Sequence, residues 1–591
     1  MSQSIREGVR GGAFLLQEGE TDRLFTPEDF SEEHKMIART AEEFVTQEVW
    51  PVLPAIEEHQ FDHSVRLMKQ AGELGLLGAD VPEEYGGIGL DKISSSLITE
   101  KFALSRSFAL TQGAHVGIGS LPIVYFGTEE QKTKYLPKLA TGEYIAAYAL
   151  TEPGSGSDAL GAKTSARLSE DGKYYILNGE KQWITNAGFA DLFVVYAKVD
   201  GEQFSAFIVE RAYEGVSTGP EEKKMGIKGS STRTLLLDEV KVPVENLLGE
   251  VGRGHVIAFN ILNIGRFKLG VGCVGSSKRA LEVAVQYAKE RKQFQTPIIQ
   301  FPLIQEKIGR MAANTYALES AIYRTAGLME DALSDVEVND GQGVAAAIAE
   351  YAMECSITKV LGSEIFDGIA DEAVQIHGGY GFMAEYEVEN MYRDSRINRI
   401  FEGTNEINRL LIPNTLVKKT LKGELPFLQA ATRIQEELLT YIPSLPGDEP
   451  LAQEQNMIEN GKKLFIMLAG TALQKYEKRL AQEQEILARA ADVVIEIYAM
   501  ESAYLRTMKA IHQHGEEREA LKINLTRIYI HEAFQRIEQT LREGLVYMED
   551  GDMLRTMLSM VKKLTRTEPV NLITLRRQVA QAMAEQEKYL V

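Results

Sequence analysis

Glu402 lies between Ile400-Phe401 and Gly403, an apolar setting with a glycine that lets the backbone come close to a ligand. A loop glutamate is ordinarily a solvated charge, and the chain has 85 Asp and Glu residues to supply one. A carboxylate stripped of part of its water behaves differently. Its pKa rises and it becomes a stronger base, suited to removing a proton from a weakly acidic C–H bond. Trp183 and Thr185 offer a second kind of chemistry. On a strand, residues i and i+2 share a face, so an indole and a hydroxyl could meet one planar ligand, or equally fill a core. Arg291, in Arg291-Lys292-Gln293-Phe294, suits bidentate clamping of a phosphate. Gly378-Gly379, after Gln375-Ile376-His377, would permit close backbone approach, and His377 reads as a packing or hydrogen-bonding residue rather than a base. No cluster of Cys, His and carboxylate residues has metal-ligand spacing, so no metal is expected.

Gly154-Ser155-Gly156-Ser157-Asp158-Ala159 loosely matches a dinucleotide fingerprint. That fingerprint needs a helix to open at its end and face a pyrophosphate, whereas residues 163–177 read as strand, turn, strand. A nicotinamide Rossmann site is therefore disfavoured. The segment can still offer backbone N–H groups and the hydroxyls of Thr151, Ser155 and Ser157 at a tight turn leaving a strand, or be a polar turn and nothing more.

The elements that must position these residues change character along the chain. From residue 30 to about 143 the periodicity is helical: Ser31 reads as an N-cap before Glu32-Glu33 and the apolar Ile37, Ala41 and Val45, with Pro51 ending the run. A largely apolar stretch, 93–126, is interrupted by Gly113, Gly117 and Gly119, which cost helix stability and point to close packing or a ligand. From about 144 to 250 the pattern alternates, punctuated by the hairpin signals Asp171-Gly172 and Asp200-Gly201. With no helices between them, these strands predict an antiparallel sheet or small barrel. Helical periodicity returns near Gly254, and 261–292, 303–332 and 343–374 have bundle spacing, with a polar connector at 334–342. Linker chemistry at 423–426 and 443–450 precedes another helical block. The expected domains are 1–143, helical; 144–253, β; 254–424, a four-helix bundle; and 425–591, an additional helical domain.

A chain of 591 residues exceeds what one core fills, so this division is also expected from length. The formal charge of -21 argues against nucleic acid as a partner. Cys273 and Cys355 are too few for a disulfide framework and read as two inert core thiols in a reducing compartment. Ala13-Phe14-Leu15-Leu16 is too short for a signal-peptide core and no window is expected to span a membrane, which makes cytoplasmic the expected location.

Four segments in register, Tyr148 to Asp158, Trp183-Ile184-Thr185-Asn186, Gln375 to Gly379 and Phe401-Glu402-Gly403-Thr404-Asn405, together resemble the acyl-CoA dehydrogenase family over about residues 30–420. The resemblance implies FAD as cofactor, dehydrogenation of a saturated acyl-CoA to the trans-2-enoyl-CoA in fatty-acid β-oxidation, and an electron-transfer flavoprotein as acceptor. It makes Glu402 the base that takes the α hydrogen while the β hydrogen leaves as hydride. It assigns cofactor contacts to Tyr148, Leu150, Thr151, Gly156 and Ser157, to Trp183, Ile184 and Thr185, and to Thr404 and Glu406. Arg291, Gln293, Phe294, Gln375, Gly378 and Gly379 would reach the adenine and pyrophosphate end from a neighbouring subunit, in a homodimer or homotetramer. Ser157, Asn263, Arg266, Phe401 and Gly403 would contact substrate, with Arg266 organising the carboxylate. Some relatives carry the base just before an arginine on the first bundle helix, and here that dipeptide is Gly265-Arg266, which leaves the position without a base. Residues 260–266 and 224–228 and the extra domain resemble the very-long-chain branch, and the small Gly113, Ala114, Gly117 and Gly119 imply an open tunnel for long acyl chains. An assembly or scaffold protein on the same fold and an acyl-CoA oxidase are the alternatives, and peripheral membrane contact is left open.

Overall fold

The computed structural model describes residues 9–337, 340–440, 447, 449–586 and 589. The connector positions 338–339 and most of the linker at 443–450 lie outside the described residues. Ser31 caps the helix Glu32–Phe44, its side chain accepting from the His34 N–H, with Glu32 and Glu33 in the first turn. The run does not stop at Pro51. A π turn, Val45–Val49, and a 3-10 turn, Trp50–Val52, carry it into Leu53–Glu57, because Pro51 falls in the first turn of the 3-10 segment, where a missing N–H is harmless.

The apolar stretch forms the helices Lys92–Phe102, Ser107–Gly113 and Leu121–Phe126, with a π turn at Ala114–Gly119. Its glycines divide by role. A Cβ on Gly119 would lie 2.7 Å from that of Ala146, so this glycine serves packing against the sheet. A Cβ on Gly113 would meet nothing within 4 Å among the described residues, and one on Gly117 would meet only Lys268 Cδ, at 3.7 Å.

Eight strands form the middle sheet: β1 Ala146–Ala149, β2 Ser165–Leu168, β3 Tyr174–Thr185, β4 Leu192–Val199, β5 Gln203–Glu210, β6 Val216–Thr218, β7 Thr232–Pro243 and β8 Leu247–Leu248. The order is β6-β7-β3-β2-β4-β5-β8, with β1 on β4. Asp200 and Gly201, at φ +51° and +79°, lie in the three-residue hairpin turn between β4 and β5 that their sequence predicts, with the Glu202 N–H donating to the Val199 carbonyl at 3.2 Å. The sheet is not wholly antiparallel: β1 and β2 both run parallel to β4, because the β2–β3 hairpin sits between β1 and β4 in the chain and returns it to the same end.

The helices Gly254–Glu290, Pro302–Leu333, Ala352–His377 and Asn405–Leu421 form the bundle. The third expected helix is two, Gly341–Glu350 and Ala352–His377, broken at Tyr351, which leaves helical geometry at φ −101°, ψ 25°. Contrary to expectation, Gly254–Glu290 is long and apolar enough to cross a membrane by length and composition. Of its most apolar 18-residue window 61% is buried, and a Cβ built on its Gly270 would lie 2.8 Å from the Thr358 carbonyl oxygen, the close packing of a core helix. The additional domain, with the helices Ala452–Tyr476, Gln484–His514 and Ala520–Met548, packs on Pro302–Leu333. Arg324 pairs with Glu501 at 2.7 Å and Arg506 bridges Glu319 and Glu28, which ties Glu28, ahead of the first helix, to the bundle and to the additional domain.

Candidate active site

Glu402 sits in the turn between the 3-10 segment Arg396–Arg399 and the helix Asn405–Leu421. Glu402 and Gly403 both adopt left-handed backbone, φ +57° and +79°, and Thr404 caps the helix by accepting from the Ile407 N–H. Such a backbone persists only where its surroundings hold it. Here Arg266 Nε donates to the Glu402 carbonyl at 3.2 Å, while Lys359 Nζ donates to the Gly403 carbonyl at 2.8 Å and to Asn405 Oδ1 at 2.6 Å. Asn408 Nδ2 adds bonds to the carbonyls of Gly403 and Thr404. With the main chain fixed, the carboxylate projects toward Gly265, and its Oε2 is buried with no hydrogen-bond partner among the described residues. Burial pushes the Glu402 pKa up to about 7, against the opposing charges of Arg266 and Lys359.

Lys359 and Asn408 were not among the residues expected from sequence. A lysine inside the apolar run Ile357-Thr358-Lys359-Val360-Leu361 is a signal that could have been read, since a buried ammonium must find acceptors. Burial holds its own pKa down to about 8. Lys359→Met should remove a favourable charge and raise the Glu402 pKa by about one unit or more. The acid limb of the kcat/KM profile should move up by that amount, and a limb that stays in place would show that Lys359 only packs.

A cavity of about 220 Å³ opens beside Glu402. One face of Gly254–Glu290 forms its floor, through Gly265, Leu269, Gly272, Ser276 and Arg279, at the spacing of residues three or four apart. Phe102, Gly113, Gly117 and Ile118 form the facing wall, and Thr185 and Phe401 flank the Glu402 end. From Gly265 to Arg279 the floor advances about 21 Å.

The other expected residues are distributed as follows. Arg266 is buried behind Glu402, and Asn263 accepts from its Nη1 at 3.0 Å, so Asn263 orients the arginine rather than lining the cavity. Gly403 lends its carbonyl to Lys359. Tyr148 packs edge-on against Tyr196 with its hydroxyl buried and without a hydrogen-bond partner among the described residues, Leu150 is buried, and the Thr151 carbonyl accepts from the Gln182 N–H. In the glycine-rich turn the Ser155 hydroxyl is used internally, donating to the Asp158 carbonyl, whereas Ser157 is exposed and a Cβ on Gly156 would meet nothing within 4 Å.

The strand that carries Trp183 and Thr185 is not a regular one. A register shift between Lys181 and Ile184 and a φ of +58° at Trp183 bulge the strand there, and a bulge re-aims side chains. The indole is 62% exposed, Ile184 is buried beneath, and Thr185 lines the cavity.

A second cluster forms at the far end of the first bundle helix. Phe294 and Gln295, at φ +50° and +62°, turn a hairpin between Lys292–Gln293 and Thr296–Pro297 and leave Phe294 90% exposed. Arg291, Gln293, Gly378 and Gly379 line one pocket, with the Arg291 guanidinium over the Tyr380 ring. Gln375 is exposed beside it and does not line it. His377 stacks on Tyr287 at 4.1 Å and bonds the Ala373 carbonyl through Nδ1, which is a packing role. Glu406, in the first turn of Asn405–Leu421, lies beside the Thr404 cap.

Models of the acyl-CoA dehydrogenase N-terminal, middle and C-terminal domains match residues 31–143, 147–240 and 252–417, and a further model of a C-terminal domain matches 460–563. A Bacillus subtilis (strain 168) protein described as a probable acyl-CoA dehydrogenase is 62% identical over the full length of both chains. The human mitochondrial very long-chain specific acyl-CoA dehydrogenase is 40% identical over 75% of this chain and 69% of its own. The crystal structure of an acyl-CoA dehydrogenase complexed with FAD from Bacillus anthracis has a TM-score of 0.98, with 64% identity over 99% of this chain and 100% of that one.

Proposed function

The chain belongs to the acyl-CoA dehydrogenase family, and from that premise we propose that it oxidises long-chain acyl-CoA to trans-2-enoyl-CoA in fatty-acid β-oxidation, with an electron-transfer flavoprotein as acceptor. The enzyme is FAD-dependent. The residues present fit that group: Trp183 holds a large apolar ring outward on strained backbone, Thr185 places a hydroxyl at the cavity, and Gly156 leaves open space beside its turn. FAD supplies the two-electron acceptor for the hydrogen leaving the β carbon. Arg291 is about 39 Å along the helix from Gly265, too far to serve the same cofactor from one chain, which supports delivery of the Arg291 and Gly378-Gly379 cluster by a neighbouring subunit.

The observation that carries the chemistry is the buried Glu402 carboxylate, its Oε2 without a hydrogen-bond partner among the described residues, facing Gly265 at the head of an apolar tunnel. Glu402 Oε2 accepts the α proton of the thioester. Arg266 and Lys359 hold the carbonyls on either side of the turn, so the carboxylate need not reorganise when it accepts that proton. Tunnel length supports long chains. An extended polymethylene chain advances about 1.25 Å per carbon at ordinary bond lengths, so about 21 Å of floor takes roughly 16 carbons.

Gly117 lies beside Lys268, and Gly275 touches Ala103, so the facing wall runs antiparallel to the floor and Gly113 stands near its middle. Gly113→Leu should cut kcat/KM for palmitoyl-CoA by about tenfold or more, through loss of several buried methylenes, while hexanoyl-CoA is spared. Equal loss at both lengths would remove Gly113 from the acyl path. A kcat/KM profile from C4 to C24 tests the long-chain reading itself, and stopped-flow reoxidation by dioxygen against the flavoprotein acceptor separates a dehydrogenase from an oxidase.

A further inference from the structure

The tunnel is bounded by two segments that run antiparallel. Along the floor Gly265 comes first and Arg279 last, and residues 387–402 return beside it, with Glu402 against Gly265 and Glu387 against Arg279. At this far end Arg279 donates from Nε at 3.1 Å and from Nη2 at 2.9 Å to the two carboxylate oxygens of Glu387. Its Nη1 donates to Glu282 at 2.9 Å, and the guanidinium lies over the Trp50 ring at 5.2 Å. The pair still touches solvent, at 20% and 25% exposure. Close by, Arg106 Nε donates to Asn390 Oδ1 at 2.5 Å, so the helix Glu387–Ser395 is latched across the tunnel at two points.

A passage lined by Leu269, Gly272 and Ile118 therefore ends on a bidentate ion pair in contact with water. Methylenes gain from burial only as far as apolar walls extend, and a chain pushed further must separate two groups that hold each other by two charge-assisted bonds. We infer that the Arg279–Glu387 pair is the end stop of the acyl tunnel and sets the upper limit of chain length. This rests on the reading of the cavity as the acyl site. The pair is a specificity determinant remote from the reacting carbons, and its loss opens the far mouth to solvent so that a longer tail can pass through.

The test uses the full-length, FAD-loaded enzyme with saturated acyl-CoAs of C8, C12, C16, C20 and C24. Glu387→Ala leaves Arg279 paired with Glu282 and stacked on Trp50, so no isolated charge is created. Kcat/KM for C8 and C12 should remain within about twofold of wild type, since those chains end short of the pair. The ratio of C20 to C16 should rise at least about fourfold, the worth of one further buried methylene. Glu387→Gln, which keeps the volume and removes the charge, should raise the same ratio to a smaller extent and decides the matter if the alanine variant has lost FAD or melts early. An unchanged C20 to C16 ratio in the folded variants, or an equal change at every length, overturns the end stop whatever the wild-type optimum. A wild-type optimum at C4 to C6 overturns the long-chain reading instead.

Discussion

In Glu402→Gln, exchange of the substrate α hydrogen with deuterated solvent should slow by about 10²–10⁴-fold, while FAD content and acyl-CoA binding persist. The amide matches the carboxylate in shape but cannot accept a proton, so binding and chemistry separate. In wild type the base works only when ionised, and burial has brought its pKa to about 7. Kcat/KM should therefore rise with pH through about 7 and then level off, and the variant should lack that limb. The same burial has a cost in stability, and its sign is fixed. The folded state favours the protonated form, so the contribution is fully present below the ordinary carboxylate value of 4.5 and is lost as pH rises through about 7. At pH 8 the neutral amide escapes a penalty on the order of 3 kcal/mol, and Glu402→Gln should melt above wild type there, with the gap closing at pH 5. Near-normal α exchange, or a melting difference that does not change with pH, would remove Glu402 from the role of base.

How far the site could be read in advance depended on whether its cause was local. The apolar flank Ile400-Phe401 and the left-handed Gly403 are neighbours of Glu402, so the desolvated carboxylate was legible in four residues. Lys359 and Asn408 act on the same turn through the packing of Ala352–His377 and Asn405–Leu421, which no local pattern fixes. The change from helical to alternating period marked the middle sheet. The bulge at Trp183 was hidden, because it arises from the pairing of β3 with β7 and alternation in one strand carries no record of its partner. Composition likewise could not distinguish the role of Gly254–Glu290. A helix apolar over this length can be clothed by lipid or by other helices, and the burial of its window, with no room for a Cβ between Gly270 and Thr358 or between Gly362 and Gly270, identifies the second case.

Gly265→Ala should lower kcat/KM by about 10²-fold with little change in melting temperature. A Cβ built on Gly265 lies 2.8 Å from Glu402 Cδ and closer still to Oε2, so the two groups cannot keep their places. Both backbones resist movement: Gly265 is inside a long helix, and the carbonyls of Glu402 and Gly403 are pinned by Arg266 and Lys359. The displacement therefore falls on the carboxylate, which can rotate away at small cost because it is the free end of a side chain. Stability is also supported by the gain of about 1 kcal/mol from replacing glycine by alanine in a helix interior. Activity has no such relief, since a shift of about 1 Å at a reacting group is worth about 10²-fold. Gly272→Ala separates this effect from general tunnel narrowing. It lies on the same helix face, its Cβ would meet nothing within 4 Å, and it should leave hexanoyl-CoA turnover within about twofold of wild type. If Gly265→Ala retained more than about half of the activity, the carboxylate would have to work from a position other than the one facing Gly265, and the fixed turn built by Arg266 and Lys359 would lose its catalytic purpose.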